Sequence, residues 1–503
     1  MVDQLTPGII LLIIAAYFLV LISISYLTSK NADNDTFFIG GRKSPWILVA
    51  IGMVGASLSG VTFISIPGVI GAGGLNQSFS YMQMVFGYLL GYFFIANVLL
   101  PLYYRMQLTS IYAYLGERLG VQAYKIGSVF FLLSRTVGAS LRLYLVAIVL
   151  HGFVLGPFGV SFAMTVIVTI LLIWIYTFRG GIKTIVWTDT LQTIFMLSAV
   201  ILTIISISKA MGVSVSEIPA LIRGSEYSQL FYFDGGWNDP NNFFKQFISG
   251  ALITIVMTGL DQDMMQKNLS CKSLGDAQKN MYTFSFILIF ANLLFIALGA
   301  LLYIYMGDVA PEIMANHPDL ATNPDQVFPQ IALQYLPPFV GIVFILGLIA
   351  AAYSSADSAL TALTTSFCID FLDFEKRADP PQVLKRIRFG VHLGFSIVLL
   401  ILILLFKAYG NKAVINELFV WAGLTYGPLL GLFAFGMFTK LKVKGSLVIP
   451  ICVAAPIISF FVNKYSAQLL GGFQFGSLLI LFNGVLTFLL LFLISKKKET
   501  PSV

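Results

Sequence analysis

The chain has 503 residues, of which 58% are hydrophobic and only 11% charged, with a mean hydropathy of +0.88. Soluble domains carry about 25% charged residues, so a string of soluble domains is excluded and a polytopic helical membrane protein is expected. The net charge of +7 comes from bases in short loops between apolar runs, where they set topology and form no nucleic-acid face.

A helix of about 20 apolar residues crosses the hydrocarbon core. On that rule the apolar runs predict thirteen spans near 8–28, 46–70, 80–104, 124–152, 159–177, 186–208, 243–265, 280–306, 335–370, 387–407, 414–438, 445–463 and 473–495. The first run follows acidic Asp3, is long and has no clear cleavage site, so it reads as a span and not as a signal peptide.

The second run is interrupted by Gly52, Gly55, Ala56, Ser57, Ser59 and Gly60, and the seventh by Ser249, Gly250 and Gly259. Two weak helices five spans apart fit a pair of five-helix repeats of inverted topology, with a binding site near the membrane midplane. Small residues can also serve close helix packing alone; Ser57, Ser59 and Thr62 beside the break favour a site. The division expected is an extra helix and loop over 1–45, a first repeat over 46–208 and an exterior loop over 209–242. A second repeat over 243–438 and two helices with a short basic tail over 439–503 complete it.

Asp189 opens the sixth span, and the ninth carries Ser354-Ser355-Ala356-Asp357-Ser358. A carboxylate in hydrocarbon faces a partner, an ion or water. Ser354 and Ser358 are spaced i,i+4 and share a helix face. Arg135 and Arg142, seven residues apart in the fourth span, also share a face. A buried arginine recognises a carboxylate bidentately, pairs with another helix, or reaches for the interface; the residues alone leave these readings open.

The positive-inside rule tests the span count. With the N-terminus outside, loops expected inside hold 22 of the 30 basic residues, Lys267 and Lys183 among them, and loops expected outside hold six. Cys271, Cys368 and Cys452 are scattered, as are His151, His317 and His392, so no disulfide framework, metal set or enzyme's catalytic set is indicated.

Five stretches together resemble the sodium:solute symporter family. They are Leu58-Ser59-Gly60-Val61-Thr62-Phe63, Tyr176 to Gln192, Gly259-Leu260-Asp261-Gln262 through Gln266 to Ala277-Gln278, Ser354 to Leu360, and Gly427-Pro428-Leu429 with Gly431-Leu432-Phe433. The resemblance covers nearly the whole chain. It implies an all-α membrane protein of the leucine-transporter type, five helices plus five inverted, working by alternating access. It also implies a main sodium site from the carbonyls of Gly55, Leu58 and Ala351 and the hydroxyls of Ser354 and Ser355. A second cation position, used by sialic acid symporters, maps to Asp189, Ser354, Asp357 and Ser358, with Asp357 where that type has serine. The family's solute pocket maps to Ser57, Ser59, Thr62, Gln83 and Thr254. Sugar carriers place an asparagine and a tyrosine where this chain has Thr254 and Met257, and sialic acid relatives use an arginine in the span of Arg135 and Arg142.

The expectation is therefore sodium-coupled symport of a small organic solute, leaning to an anion or acidic sugar, in a bacterial inner membrane, with sodium, solute and lipid bilayer as partners. The rivals are a proton symporter using Asp189 and Asp357, a membrane solute sensor, an integral enzyme and a channel. An output domain for a sensor is not expected, because the chain ends soon after Lys496-Lys497-Lys498.

Overall fold

A computed structural model describes residues 7–29, 33–178, 181–409 and 414–496. In hydrocarbon each segment satisfies its own backbone polar groups, so the apolar runs fold as helices. Among the described residues eleven helices are long and apolar enough to cross a membrane, and the bent pair Phe243–Gly259 and Gln262–Leu269 makes twelve. The fifth predicted span is the apolar helix Phe162–Thr177, with 16 residues. At about 1.5 Å per residue it reaches roughly 24 Å, against a hydrocarbon core of about 30 Å.

The second span, Trp46–Val69, and the ninth, Pro338–Phe371, are the most enclosed. The tenth, Pro381–Ala408, and the twelfth, Gly445–Leu469, turn most of their surface outward. The centre of the molecule thus holds the two segments that carry the serine-rich motifs. Span two lies close against span six. Gly55 sits where a Cβ would come within 2.4 Å of the Thr193 hydroxyl oxygen, so a larger residue would push the helices apart.

Both expected breaks are present. The second span leaves helical geometry at Ser59, with φ 53° and ψ 174°. The seventh bends by 63° between Gly259 and Gln262. Ser249 and Gly250, expected to weaken the seventh span, lie instead inside its straight first half, Phe243–Thr254. A Cβ on Gly250 would stand 2.1 Å from the Met84 carbonyl oxygen, so this glycine serves close packing on the third span.

Loop contacts fall into two sets. In one, Ser44 N–H donates to the Ser270 carbonyl, Arg42 to Leu108, Arg118 to Gly436 and Leu441, and Arg388 to Asn34. Lys442–Val443 and Ser495–Lys496 pair antiparallel in the same set. In the other, Phe79 N–H donates to Gln229, Asn76 to Asn241, Asn238 to Gly471, and Lys245 to Trp237 and Gln474. The two sets gather the loops at opposite ends of the spans, as their alternation along the chain requires. One base falls elsewhere: Lys267, counted with an inside loop, is buried in the helix Gln262–Leu269. Lys30, Arg179, Lys412, Lys497 and Lys498 lie outside the described residues.

Candidate functional site

The break at Ser59 opens onto a cavity of about 80 Å³. Span two lines it with Ser57, Ser59 and Thr62, span four with Arg135 and Arg142, and span seven with Thr254 and Met257. Ser57, Ser59, Thr62 and Thr254 were pocket candidates from the sequence, and for Arg135 and Arg142 a pocket role was one of the readings left open. Gln83 is a correction. Its amide donates to the carbonyls of Ser80 and Asn241 and accepts from Tyr232 N–H, so it anchors a loop and stays away from the cavity. Three tyrosines that the sequence reading passed over, Tyr81, Tyr88 and Tyr92, also line the cavity, as does Asn292. The i, i+7, i+11 spacing of those tyrosines was the available signal.

The two arginines differ sharply. Arg135 is ion-paired to Asp263 on the helix beyond the seventh-span bend. Arg142 is only 6% exposed, makes no ion pair among the described residues, and its Nε has no hydrogen-bond partner. Asp261, the other carboxylate of that segment, is already occupied. Its Oδ1 caps the helix through Asp263 and Met264 N–H, and its Oδ2 accepts the Tyr426 hydroxyl at 2.5 Å.

On the other side of the break lie the residues mapped to the main sodium site. Gly55 and Ser354 are in contact range, since a Cβ on Gly55 would stand 3.5 Å from Ser354 Oγ. Ser354 donates to the Ala351 carbonyl at 3.3 Å and Ser355 to the Ala352 carbonyl at 3.1 Å, both within their own helix. These long bonds are the weak back-bonding common to membrane serines. Buried Leu58 is one turn beyond Gly55, where span two departs from helical geometry. Among the described residues no side chain donates to the carbonyls of Gly55 or Leu58. The donor set is uncharged carbonyl and hydroxyl oxygen, which suits a hard monovalent cation that must also be released.

The residues mapped to a second cation position lie together, Asp357 beside Asp189 and Lys267, but they hold different partners. Asp189 Oδ2 accepts Lys267 Nζ at 2.7 Å and Ser358 Oγ at 3.3 Å. Asp357 instead accepts the Tyr176 hydroxyl at 2.9 Å and Ser358 N–H at 2.5 Å. Ser354 turns to Ala351.

The sequence profile of the Sodium:solute symporter family matches residues 37–452. The chain belongs to that family. It is therefore a membrane transporter that couples sodium to a solute, and the reading of Asp189 and Asp357 as the centre of a proton symporter is not favoured. The chain is 24% identical to the sodium/sialic acid symporter SiaT of Proteus mirabilis, over 92% of this chain and 91% of that one. It is 23% identical to the sodium/sialic acid symporter NanT of Aliivibrio fischeri, over 92% and 89%. It is also 23% identical to the human sodium/iodide cotransporter, over 80% of this chain and 61% of that one. A solved Na+-coupled sialic acid symporter in its substrate-bound outward-open state superposes with a TM-score of 0.80 at 20% identity, over 97% of this chain and 99% of that one. Mhp1, of the nucleobase-cation-symport-1 family, superposes at 0.53 and 14% identity, over 92% and 94%. The fold is that of the leucine-transporter type, as expected.

Within this symporter, sequence reasoning missed Lys267 and Asp263 as site residues. Both follow the seventh-span bend; Lys267 was read as part of the loop after it, and Asp263 fell at the end of the predicted span 243–265 and was passed over. The polar stretch Asp261-Gln262-Asp263 was the signal available.

Proposed function

We propose that this symporter carries a small organic anion into the cell with sodium, and that Arg142 receives its carboxylate. One observation carries the reading: a buried guanidinium faces the central cavity with no counter-charge in contact. A buried charge without a partner is expensive, and an arginine at membrane depth marks a substrate path. A solute carboxylate supplies the missing charge, and the fork of the guanidinium matches it bidentately. The relatives named above are described as carrying sialic acid or iodide, which are anions. Met257 and Thr254, in place of a sugar carrier's residues, speak against a neutral hexose.

Sodium at Gly55, Leu58, Ala351, Ser354 and Ser355 ties the broken second span to the ninth. Each ligand shifts the outward–inward equilibrium by its differential affinity for the two states, and the coupling is reciprocal. The halves 46–208 and 243–438 act as inverted repeats around this site. The N-terminus lies outside and the C-terminus in the cytoplasm of a bacterial inner membrane; the concentration of Lys and Arg in one set of loops supports that orientation.

The test is uptake into proteoliposomes of sialic acids, monocarboxylates, neutral sugars and amino acids, with and without a sodium gradient. Sodium-driven accumulation of an anion is expected, and Arg142→Ala is expected to weaken it roughly 100-fold, in line with the loss of one partner of a buried charge pair. Accumulation of a neutral sugar by both proteins alike would sink the anion assignment.

A further inference from the structure

We infer that the solute leaves through a side passage between spans four, seven and eleven, that the Arg135–Asp263 ion pair closes this passage, and that Arg135, once released, takes the anion over from Arg142. The inference rests on the anion reading and the orientation above and deepens them.

The central cavity has a smaller neighbour. The two arginines, Met257 and Leu418 line both, and the smaller one continues past them to Ser134, Gly138 and Tyr426. Along span four that step runs from Arg142 towards the loop that holds Arg118 and Lys125. Along span eleven it runs from Leu418 towards Lys440 and Lys442. Both loops are rich in bases and expected inside, so the smaller cavity lies on the cytoplasmic side of the larger.

The Arg135–Asp263 pair bars that passage. It joins span four to the helix Gln262–Leu269 beyond the seventh-span bend, and neither side chain is more than 4% exposed. The pair is half made. Arg135 Nη2 donates to Asp263 Oδ2, while Arg135 Nε and Asp263 Oδ1, both buried, have no partner among the described residues. A bidentate pair would have used both oxygens. Unsatisfied buried atoms raise the energy of the closed state, so parting this pair costs less than parting a complete one. The Tyr426 hydroxyl ties span eleven to the same segment through Asp261. The carbonyls at the bend stay held by Tyr103 and Tyr112, which gives the segment a fixed joint to swing about.

Parting has a direct consequence for an anion. When the segment swings, Asp263 leaves with it and meets water, and Arg135 stays on span four facing the passage. It then stands two turns, about 10 Å, inward of Arg142 on the same helix face. A carboxylate leaving Arg142 thus finds a second guanidinium that the closed state had neutralised. A neutral or cationic solute finds no such station, so the passage selects for anions by charge.

A thiol placed in the passage tests this without knowledge of the solute. Gly138→Cys fits, because a Cβ there meets only Leu418 Cδ1, at 3.7 Å. The native Cys271, Cys368 and Cys452 are buried, and the chain without the reporter gives the background. The full chain in inside-out membrane vesicles, at fixed sodium, is labelled with two impermeant methanethiosulfonates, one carrying a sulfonate and one a trimethylammonium. Rates are corrected for each reagent's reaction with a free thiol. The reporter alone is expected to react slowly. With Asp263→Asn added, labelling by the sulfonate is expected to rise roughly 10-fold, the gain when one partner of a closing contact is lost, and to outpace the trimethylammonium. With Arg135→Gln added instead, both reagents are expected to gain alike, since the passage is open and its guanidinium gone. The exchange Arg135→Asp with Asp263→Arg is expected to restore slow labelling. Should Asp263→Asn fail to reach the membrane, Arg135→Gln decides. Unchanged labelling in both variants, or a preference of the Asp263→Asn chain for the trimethylammonium, would overturn the inference and leave Arg142 as the anion's site. Uptake of a neutral sugar by the wild type and Arg142→Ala alike would overturn the anion reading itself.

Discussion

The two broken helices of this molecule are built in opposite ways. At the seventh-span bend the protein satisfies its own loose ends. Tyr103 donates its hydroxyl to the Gly259 carbonyl and Tyr112 to the Leu260 carbonyl, each at 2.9 Å. Asp261 caps the helix that follows. At the second-span break no described side chain donates to the carbonyls of Gly55 or Leu58. Helix interruptions in a membrane are tolerated only where freed polar groups find a partner. One break is therefore a sealed joint. At the other, among the described residues, no side chain takes that role.

The contrast can be broken most severely at the open break. Ser355→Ala removes a hydroxyl that has only a weak internal bond, so the protein should insert and fold while sodium-dependent uptake is lost. Radioactive uptake beside a membrane-expression assay measures both; full sodium-driven uptake by the variant would remove Ser355 from the ion site. A smaller effect is expected at the sealed joint. Asp261→Ala deletes a helix cap and should lower stability by about 1–2 kcal/mol, read as a fall in melting temperature, while sodium binding persists. Loss of sodium binding with unchanged melting would show that the two breaks do not divide the work in this way. The smallest expected effect is at Ser59. Its backbone, at φ 53° and ψ 174°, occupies a region nearly reserved for glycine. Ser59→Gly should therefore raise the stability by roughly 1 kcal/mol, with solute affinity reduced because a cavity hydroxyl is gone. An unchanged melting temperature would mean that the break carries no strain.

Several parts of this architecture were legible in the chain because the bilayer simplifies the problem. A run of apolar residues long enough to cross must be a helix, so the helical segments follow from composition. Ser57, Ser59, Thr62, Thr254 and both arginines line one cavity because polar residues in such runs cannot face lipid. Gln83 obeys the same rule with a different outcome. It is buried and polar, yet its partners are loop groups far away in sequence, and no local pattern separates an anchor from a ligand.

Lys267 shows the limit most clearly. Read as a string of residues it belongs to a basic loop that fixes topology. In the fold it is among the largest fully buried side chains and is paired with a carboxylate 78 positions away.

By itself the sequence determined the membrane class, the helical segments, the two weak helices and the family's motifs, since each depends on local composition and spacing. Only the tertiary structure decided which arginine is paired, which break is sealed and which side chain Asp189 pairs with. Those outcomes depend on groups that meet across distant spans, where burial makes every unmatched charge costly and so forces each to find its partner in three dimensions.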